Sequence, residues 1–390
     1  MDRFRQRFFR APAGSFFVFG PRGTGKSTWL KKMFPGAYVV DLLDDAVFRD
    51  YVAHPERIKQ AVAANPDADC YIIDEVQKVP ALLDSIHGLI QEDVSRQFIL
   101  TGSSARKLRR GGVNLLAGRA LLTHFNPFMA AELGEDFKLE KGLKNGLVPL
   151  VVSADDPVKT LETYIALYLK EEVKQEALVR DVGAFARFLE AISFSHGSVL
   201  NLSNIARECN VTRKIVENYL SILEDLLLGY KLPVFTRRAR RAMTAQPKFY
   251  FFDAGVFHQL RPKGPLDSPD EVGGIALEGL VLQHLKAWCD YTDSPVECYF
   301  WRSRGGAEVD FVLYGEHHFY AIEVKNAKQI HPRSLRSLKT FSSDYPEAAA
   351  LLLYRGKEKL VVDGILCLPI EDFLLQLIPG AFPEHGSQVL

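Results

Sequence analysis

An α/β protein in three consecutive parts is what this sequence predicts, and three observations lead there. Short apolar β-rich runs alternate with amphipathic stretches from Ser15 to about Phe125. The apolar spacing then turns helical from Pro157 to about Leu228. Beyond the turn-rich stretch RPKGPLDSPDEVGG, an apolar helix is followed by four strands. At roughly 100 to 200 residues per domain, a chain of 390 residues holds two or three parts with separate cores. The changes of pattern put them at 1–135, 136–260 and 265–390.

In the first part the strands SFFVF, AYVV, CYIID, QFILTG and ALLTHF are continuously apolar. Such runs suit strands covered by helices on both faces of a parallel sheet. Directly after SFFVF stands GPRGTGKST, residues Gly20, Pro21, Arg22, Gly23, Thr24, Gly25, Lys26, Ser27 and Thr28, which leads into the helical run STWLKKM. This fits G-x-x-x-x-G-K-[ST] in its strand–loop–helix setting, a phosphate-binding loop. Its glycines let backbone amides and a helix N-terminus face phosphates, Lys26 neutralises charge, and Ser27 is expected to ligate Mg²⁺. The pattern predicts ATP and Mg²⁺ as cofactors.

CYIIDE ends an apolar strand in Asp74 and Glu75. Two acids at the carboxyl end of a buried strand are costly unless a cation or polarised water meets them. Asp74 is expected in the Mg²⁺ shell and Glu75 at the attacking water. QFILTG ends in Thr101, Ser103 and Ser104, hydroxyls placed either to sense a terminal phosphate or to cap a turn. Arg119, after the turn glycine of NLLAGRA, is the candidate arginine finger, in cis or from a neighbouring subunit, with a surface salt bridge as the competing reading. A kinase acting on a small molecule shares the loop but is disfavoured by the water-activating glutamate and by the two further parts.

The middle part is expected to be helical, with Leu161, Ile165 and Leu169 on one face and Phe185, Phe188, Leu189 and Ile192 on the next. In LSNIARECNVTRKIVENYLSILEDLLL, Ser203 is the expected cap of a short helix and Thr212 that of a longer one, separated by a break at Cys209 and Asn210. Ile205, Val211, Val216, Tyr219, Leu220 and Leu223 form the expected core of a helix-turn-helix, and the strands YKLPVF and KFYFFD complete a winged helix. Nine Lys or Arg stand against four Asp or Glu between Ser203 and Lys248. Arg213 and Lys214 open the expected recognition helix, and Arg237, Arg238, Arg240 and Arg241 lie in the wing, where double-stranded DNA is the expected partner and packing between domains the equal alternative.

In the last part AEVDFVLYGEHHFYAIEVK reads as two strands around a turn at GEHH. A hairpin centred between Glu316 and His317 sets Asp310 opposite Glu323, with Lys325 on the same face and Val309, Phe311, Ile322 and Val324 on the other. Opposed carboxylates need something cationic between them, and a divalent metal is the natural candidate. Glu278, interrupting the apolar helix ALEGLVLQHL, supplies a third carboxylate. The set of Glu278, Asp310, Glu323 and Lys325 resembles the PD-(D/E)xK nuclease motif, either active with these metal and catalytic residues or retained as a salt-bridged relic.

Net charge of zero, from 48 basic and 48 acidic residues, argues against a chain that binds polyanions along its whole length and leaves only local patches. Five scattered cysteines, no signal peptide and no apolar run of the roughly 18 residues a membrane helix needs point to the cytoplasm. Taken together, GPRGTGKST, YIIDEVQKVPALLDSIHGLI, FILTGSSARKL, LLAGRA, KFYFFDAGVF, AEVDFVLY and AIEVK resemble a large prokaryotic family of AAA-type ATP-binding proteins with a C-terminal nuclease-like domain of unknown function. The resemblance implies an ASCE-type P-loop ATPase core, a winged-helix middle and a restriction-endonuclease-like end, with a homo-oligomer as one possible assembly. The expected function is ATP hydrolysis controlling a metal-dependent DNA nuclease-like domain. The alternative is an ATP-dependent DNA- or protein-binding switch whose nuclease-like domain is inactive.

Overall fold

A computed structural model describes residues 4–103, 116–169, 181–239, 246–265 and 267–383. The chain divides into two compact units, one of Phe9–Asn126 with Asp225–Leu227, the other of Met1–Phe8, Pro127–Glu224 and Leu228–Leu390.

The first unit is built on five strands, β1 (Phe16–Phe19), β2 (Tyr38–Asp41), β3 (Tyr71–Asp74), β4 (Phe98–Gly102) and β5 (Leu121–His124). They lie in the order β2-β3-β4-β1-β5, and every pair is parallel. Three of the five apolar runs are buried as expected, Phe16 to Phe19, Tyr71 to Ile73 and Phe98 to Leu100, whereas β2 and β5 are edge strands and leave Val39, Leu121 and Leu122 exposed. Helices α1 (Lys26–Met33), α2 (Asp45–Ala53), α3 (Arg57–Ala64) and α4 (Leu82–Glu92) connect them. Leu82, Leu83, Ile86, Leu89 and Ile90 give α4 one apolar stripe, and it joins the core formed by Phe17, Phe19, Ile73 and Leu100. Asp44 starts α2 by accepting from the amides of Ala46 and Val47. Because the strands are parallel, the ends of β1, β3 and β4 all open on one edge of the sheet.

In the second unit α5 (Leu139–Asn145) and α6 (Val182–Ser193) precede the short strand β6 (Ser198–Val199). Phe185, Phe188, Leu189 and Ile192 of α6 are buried at their helical spacing. Then come α7 (Leu202–Glu208), α8 (Arg213–Asp225), β7 (Gly229–Leu232) and β8 (Lys248–Phe251). The cap of α7 is Asn201, which accepts from the amide of Asn204, and not Ser203 as the sequence suggested; the helix begins two residues earlier, at Leu202. Thr212 does cap α8, accepting from the amide of Ile215. β6, β8 and β7 form a three-stranded antiparallel sheet with β8 at its centre.

Helix α9 (Ala254–Leu260) follows, and α10 (Pro269–Tyr291) starts inside the turn-rich stretch at a proline, a residue suited to the first helical turn. Six strands, β9 (Val296–Arg302), β10 (Glu308–Gly315), β11 (Phe319–Lys325), β12 (Ala349–Tyr354), β13 (Leu360–Val362) and β14 (Ile365–Pro369), form a mixed sheet in the order β13-β14-β12-β11-β10-β9. Helices α11 (Arg336–Asp344) and α12 (Ile370–Gln376) complete the unit. Phe311 pairs with Ile322 and Tyr314 with Phe319, the register read from the turn at Glu316 and His317.

The two sheets of this unit are joined physically. Phe235, just after β7, is 1% exposed and sits in the core of the six-stranded sheet with Trp301, Val312 and Phe341. Its amide donates to the carbonyl of Phe300 at 2.7 Å. On α10, Gly279 has no side chain because the ring of His196 fills that space; a Cβ there would lie 2.3 Å from Nε2. Burial drives the His196 imidazole down to about 3, so it stays neutral in this joint.

Asp253 ends the β8 segment with its carboxylate fully buried, accepting from the amides of Leu147 (2.7 Å), Gly255 (2.9 Å) and Val256 (3.1 Å) and so capping α9. Burial raises its pKa to about 6, against the opposing pull of these donors. We expect Asp253→Ala to cost about 2–4 kcal/mol in urea unfolding at pH 7, a lost cap plus an orphaned buried amide. The folded pKa lies above the unfolded value of 3.8, so the carboxyl's contribution shrinks as pH rises between the two. The stability margin of wild type over Asp253→Asn should therefore narrow from pH 4 to pH 6.

Candidate nucleotide site and a second carboxylate cluster

The loop after β1 is shaped by its small residues. Gly20 packs where a Cβ would come within 2.3 Å of the Phe125 carbonyl oxygen. Gly25 has φ 88° and open space around it, a left-handed turn that glycine adopts without penalty. It starts α1, which has no side-chain cap and no acid in its first turn, so the positive end of the helix faces the open side of the loop. Thr24 is fully buried, its hydroxyl donating to the Pro21 carbonyl at 2.8 Å. Lys26 is folded back over the loop, with Nζ 2.6 Å from the Gly20 oxygen and 3.2 Å from that of Pro21. Arg22, Gly23 and Ser27 are half-buried and Thr28 is exposed. The loop is thus an uncapped cationic cradle suited to an anion.

Asp74 and Glu75 reach the same edge of the sheet from β3, and β4 lies between β3 and β1. Asp74 is 4% exposed and accepts the Thr101 hydroxyl, while the amide of Glu75 donates to the Thr101 oxygen at 3.2 Å. Thr101 therefore ties the acidic strand end to its neighbour. Glu75 itself has φ 60° and ψ 46°, left-handed for a residue with a side chain. Its carboxylate accepts from the amide of Gln77, which also donates to the Ser103 hydroxyl at 3.2 Å. Gln77 had no place in the sequence reading, although a polar amide two positions beyond the paired acids was the available signal. Ser104 lies outside the described residues.

Arg119 is at the other edge. It precedes β5, whose Leu121 pairs with Phe16 at the start of β1, whereas the phosphate loop follows the end of β1. Exposed there, its guanidinium stands 2.7 Å from Nε2 of His87 on α4. Arg119 is not brought to the phosphate loop of its own chain.

The C-terminal carboxylates do converge. Asp310 and Glu323 are 8% and 6% exposed, and the Val324 amide donates to Asp310 Oδ2 at 2.8 Å. Glu278 comes in from α10 and Lys325 pairs with Glu323. The cation among them is a side chain: Lys248 Nζ, 2% exposed, stands 2.6 Å from Glu308, 3.1 Å from Glu278 and 3.8 Å from Asp310. The Tyr250 hydroxyl also donates to Glu278. Burial would lower the Lys248 pKa, but Glu278, Asp310 and Glu308 outweigh it and hold the amine protonated. Burial and Asp310 push Glu278 up to about 7 and Glu323 up to about 8. Among the described residues no group of three or more His, Cys, Asp or Glu is arranged to hold a metal ion. The donors around Glu278 and Asp310 suit an ammonium.

Lys248, Tyr250 and Glu308 were missed as members of this cluster. Lys248 and Tyr250 alternate on one face of the aromatic strand KFYFFD, a lone cation in a buried run, and that was the signal. The basic segment is correspondingly reduced as a free patch. Arg237 pairs with Glu297 and covers the ring of Tyr314, and Arg213 pairs with Glu217 along α8. Lys214 and Arg238 are exposed, while Arg240 and Arg241 lie outside the described residues.

The parallel sheet, its strand order and the phosphate loop define an AAA-type P-loop domain. Residues 13–134 match the AAA domain family, residues 136–267 a domain of unknown function (DUF8612), and residues 273–373 a second one (DUF4143). Uncharacterized proteins of Mycobacterium tuberculosis and Mycobacterium bovis are each 24% identical over 384 residues, covering 95% of this chain and 83% of theirs. An uncharacterized protein of Haemophilus influenzae is 21% identical, covering 82% and 80%. Among solved structures, the replication initiator DnaA bound to AMPPCP and single-stranded DNA aligns with 16% identity and a TM-score of 0.30, over 55% of this chain and 83% of that one, too distant for any inference. Among the described residues no helix is long and apolar enough to cross a membrane, and all five cysteines are free.

Thr101→Val keeps the shape of the buried strand end but removes the donor to Asp74 and the acceptor for the Glu75 amide. Urea unfolding should show a loss of about 2 kcal/mol for this variant.

Proposed function

We propose that this protein binds and hydrolyses ATP with Mg²⁺ in its AAA-type domain, and that the nucleotide state controls the second unit. One observation carries the reading: the Lys26 loop, the Asp74–Glu75 pair and Ser103 meet at one edge of a single parallel sheet. The open glycine turn and the uncapped α1 would take the phosphates through backbone amides, with Lys26 leaving its loop carbonyls to pair with them. Ser27 and Asp74 are the residues that would hold Mg²⁺, which supplies neutralisation of the phosphate charge. Glu75 orients a water and takes its proton, while Gln77, whose amide also donates to the Ser103 hydroxyl, holds its carboxylate in place. Arg119, at the far edge of the sheet, is proposed to serve the nucleotide of a second copy of the chain.

In the second unit we read α7, α8 and the sheet β6-β8-β7 as a winged helix, and the six-stranded sheet with α10 as a restriction-endonuclease-like fold. Their element order and the carboxylate positions support this. Of the two roles for that fold, the Lys248 ammonium among the acids favours a DNA- or protein-binding switch that does not cut.

Lys26→Ala should abolish ATP binding in calorimetry. Glu75→Gln should keep binding and lower turnover at least about 100-fold; wild-type turnover in this variant would sink the reading. Arg119→Ala and Lys26→Ala proteins, each inactive alone, should recover part of the ATPase rate when mixed, because a mixed assembly contains one intact site. No recovery at any ratio would restrict Arg119 to a structural role.

A further inference from the structure

We infer that Leu227 is the residue through which the nucleotide state of the first unit reaches the second. This rests on the proposed nucleotide control and names the element that carries it. Leu227 lies in the turn between α8 and β7. Glu224 before this turn and Leu228 after it belong to the second unit, whereas Asp225–Leu227 belong to the first.

The turn closes α8 as a Schellman motif. The Leu228 amide donates to the Leu223 carbonyl at 2.8 Å, and Leu227 stands at φ 57°, in the left-handed region. Glycine is the usual residue at that position, because a side chain there is strained. A leucine is thus placed against local preference, and its side chain has another use. It packs on the core cluster of the first unit, which includes Phe19, Ile73 and Val76. Phe19 immediately precedes Gly20 of the phosphate loop, and Ile73 and Val76 flank the Asp74–Glu75 pair. A close-packed core transmits displacement, so a change in the loop or at Glu75 acts on the seat of the leucine.

The far side of the turn is equally short. Leu223 is fully buried on α8, and the Leu228 carbonyl accepts from the Phe252 amide at 3.1 Å, next to the Asp253 that caps α9. β7 begins one residue later, at Gly229. The left-handed turn has two ways to settle, held by its side chain or relaxed when the seat gives way, and this is the two-state element that coupling needs.

The test follows hydrogen exchange of backbone amides in the full chain, with and without Mg²⁺ and AMPPCP, in wild type, Leu227→Gly and Leu227→Met. Calorimetry measures AMPPCP binding to each. The nucleotide should change exchange in α8 of wild type by about fivefold or more. Leu227→Gly relaxes the turn and keeps the cap, so it should fold and bind AMPPCP while the response of α8 disappears. Leu227→Met replaces the apolar side chain and should keep the response. A merely structural leucine would lower stability on change to glycine and leave the response in place, which overturns the inference. A response in the second unit that bypasses α8 and β7 also overturns it, and leaves nucleotide control standing. If Leu227→Gly no longer binds AMPPCP, Leu227 is a packing residue of the first unit and the inference falls. Wild type that fails to bind AMPPCP, or binds it with no response anywhere in the second unit, sinks nucleotide control itself and the inference with it.

Discussion

The ammonium of Lys248, buried against Glu278, Glu308 and Asp310, is the contact on which the second unit turns. A charge removed from water needs compensation where it sits, so the central strand of the small sheet, helix α10 and the hairpin of β10 and β11 must meet at one point. The apolar contacts follow this geometry. Phe235 enters the six-stranded core from the strand beside Lys248, and His196 fills the notch that Gly279 leaves one residue after Glu278. What reads along the chain as a helical middle and a separate end is in space one body with a polar pin.

The first unit rests on direction instead of charge. Parallel strands deliver all their carboxyl ends to one edge, so a loop, two acids and a hydroxyl from segments far apart in sequence become neighbours without long side chains. β4 then acts as the spacer. Thr101 and Ser103, two residues apart, both reach the acids of β3, one directly and one through Gln77. The same directionality sends Arg119 to the other edge.

Local patterns were the legible part. The apolar runs of the sheet, the helical stripe of Phe185, Phe188, Leu189 and Ile192, and the hairpin register that pairs Phe311 with Ile322 all depend on residues close in sequence. The phosphate loop was legible because its spacing is itself the chemistry. Lys248 was harder: its place in an aromatic run marks it as buried, but 30 residues separate it from Glu278 and 60 from Glu308, and nothing local names those partners. Arg237 was hidden for the same reason, since its partners on β9 and β10 lie about 60 residues or more away. The opposed Asp310 and Glu323 led to the expectation of a divalent metal; the cation the structure places nearby is the Lys248 ammonium, among Glu278, Glu308 and Asp310.

The backbone at Glu75 brings the two demands on a protein into conflict. A side chain held at φ 60° stores strain of the order of 1–3 kcal/mol, which a glycine would release. Selection for stability alone would therefore push this position toward Gly, Asn or Asp, and each of these removes or shortens the carboxylate that Gln77 holds. A drift to glycine here among related chains would mark copies that have dropped this carboxylate while keeping, and even firming, their fold.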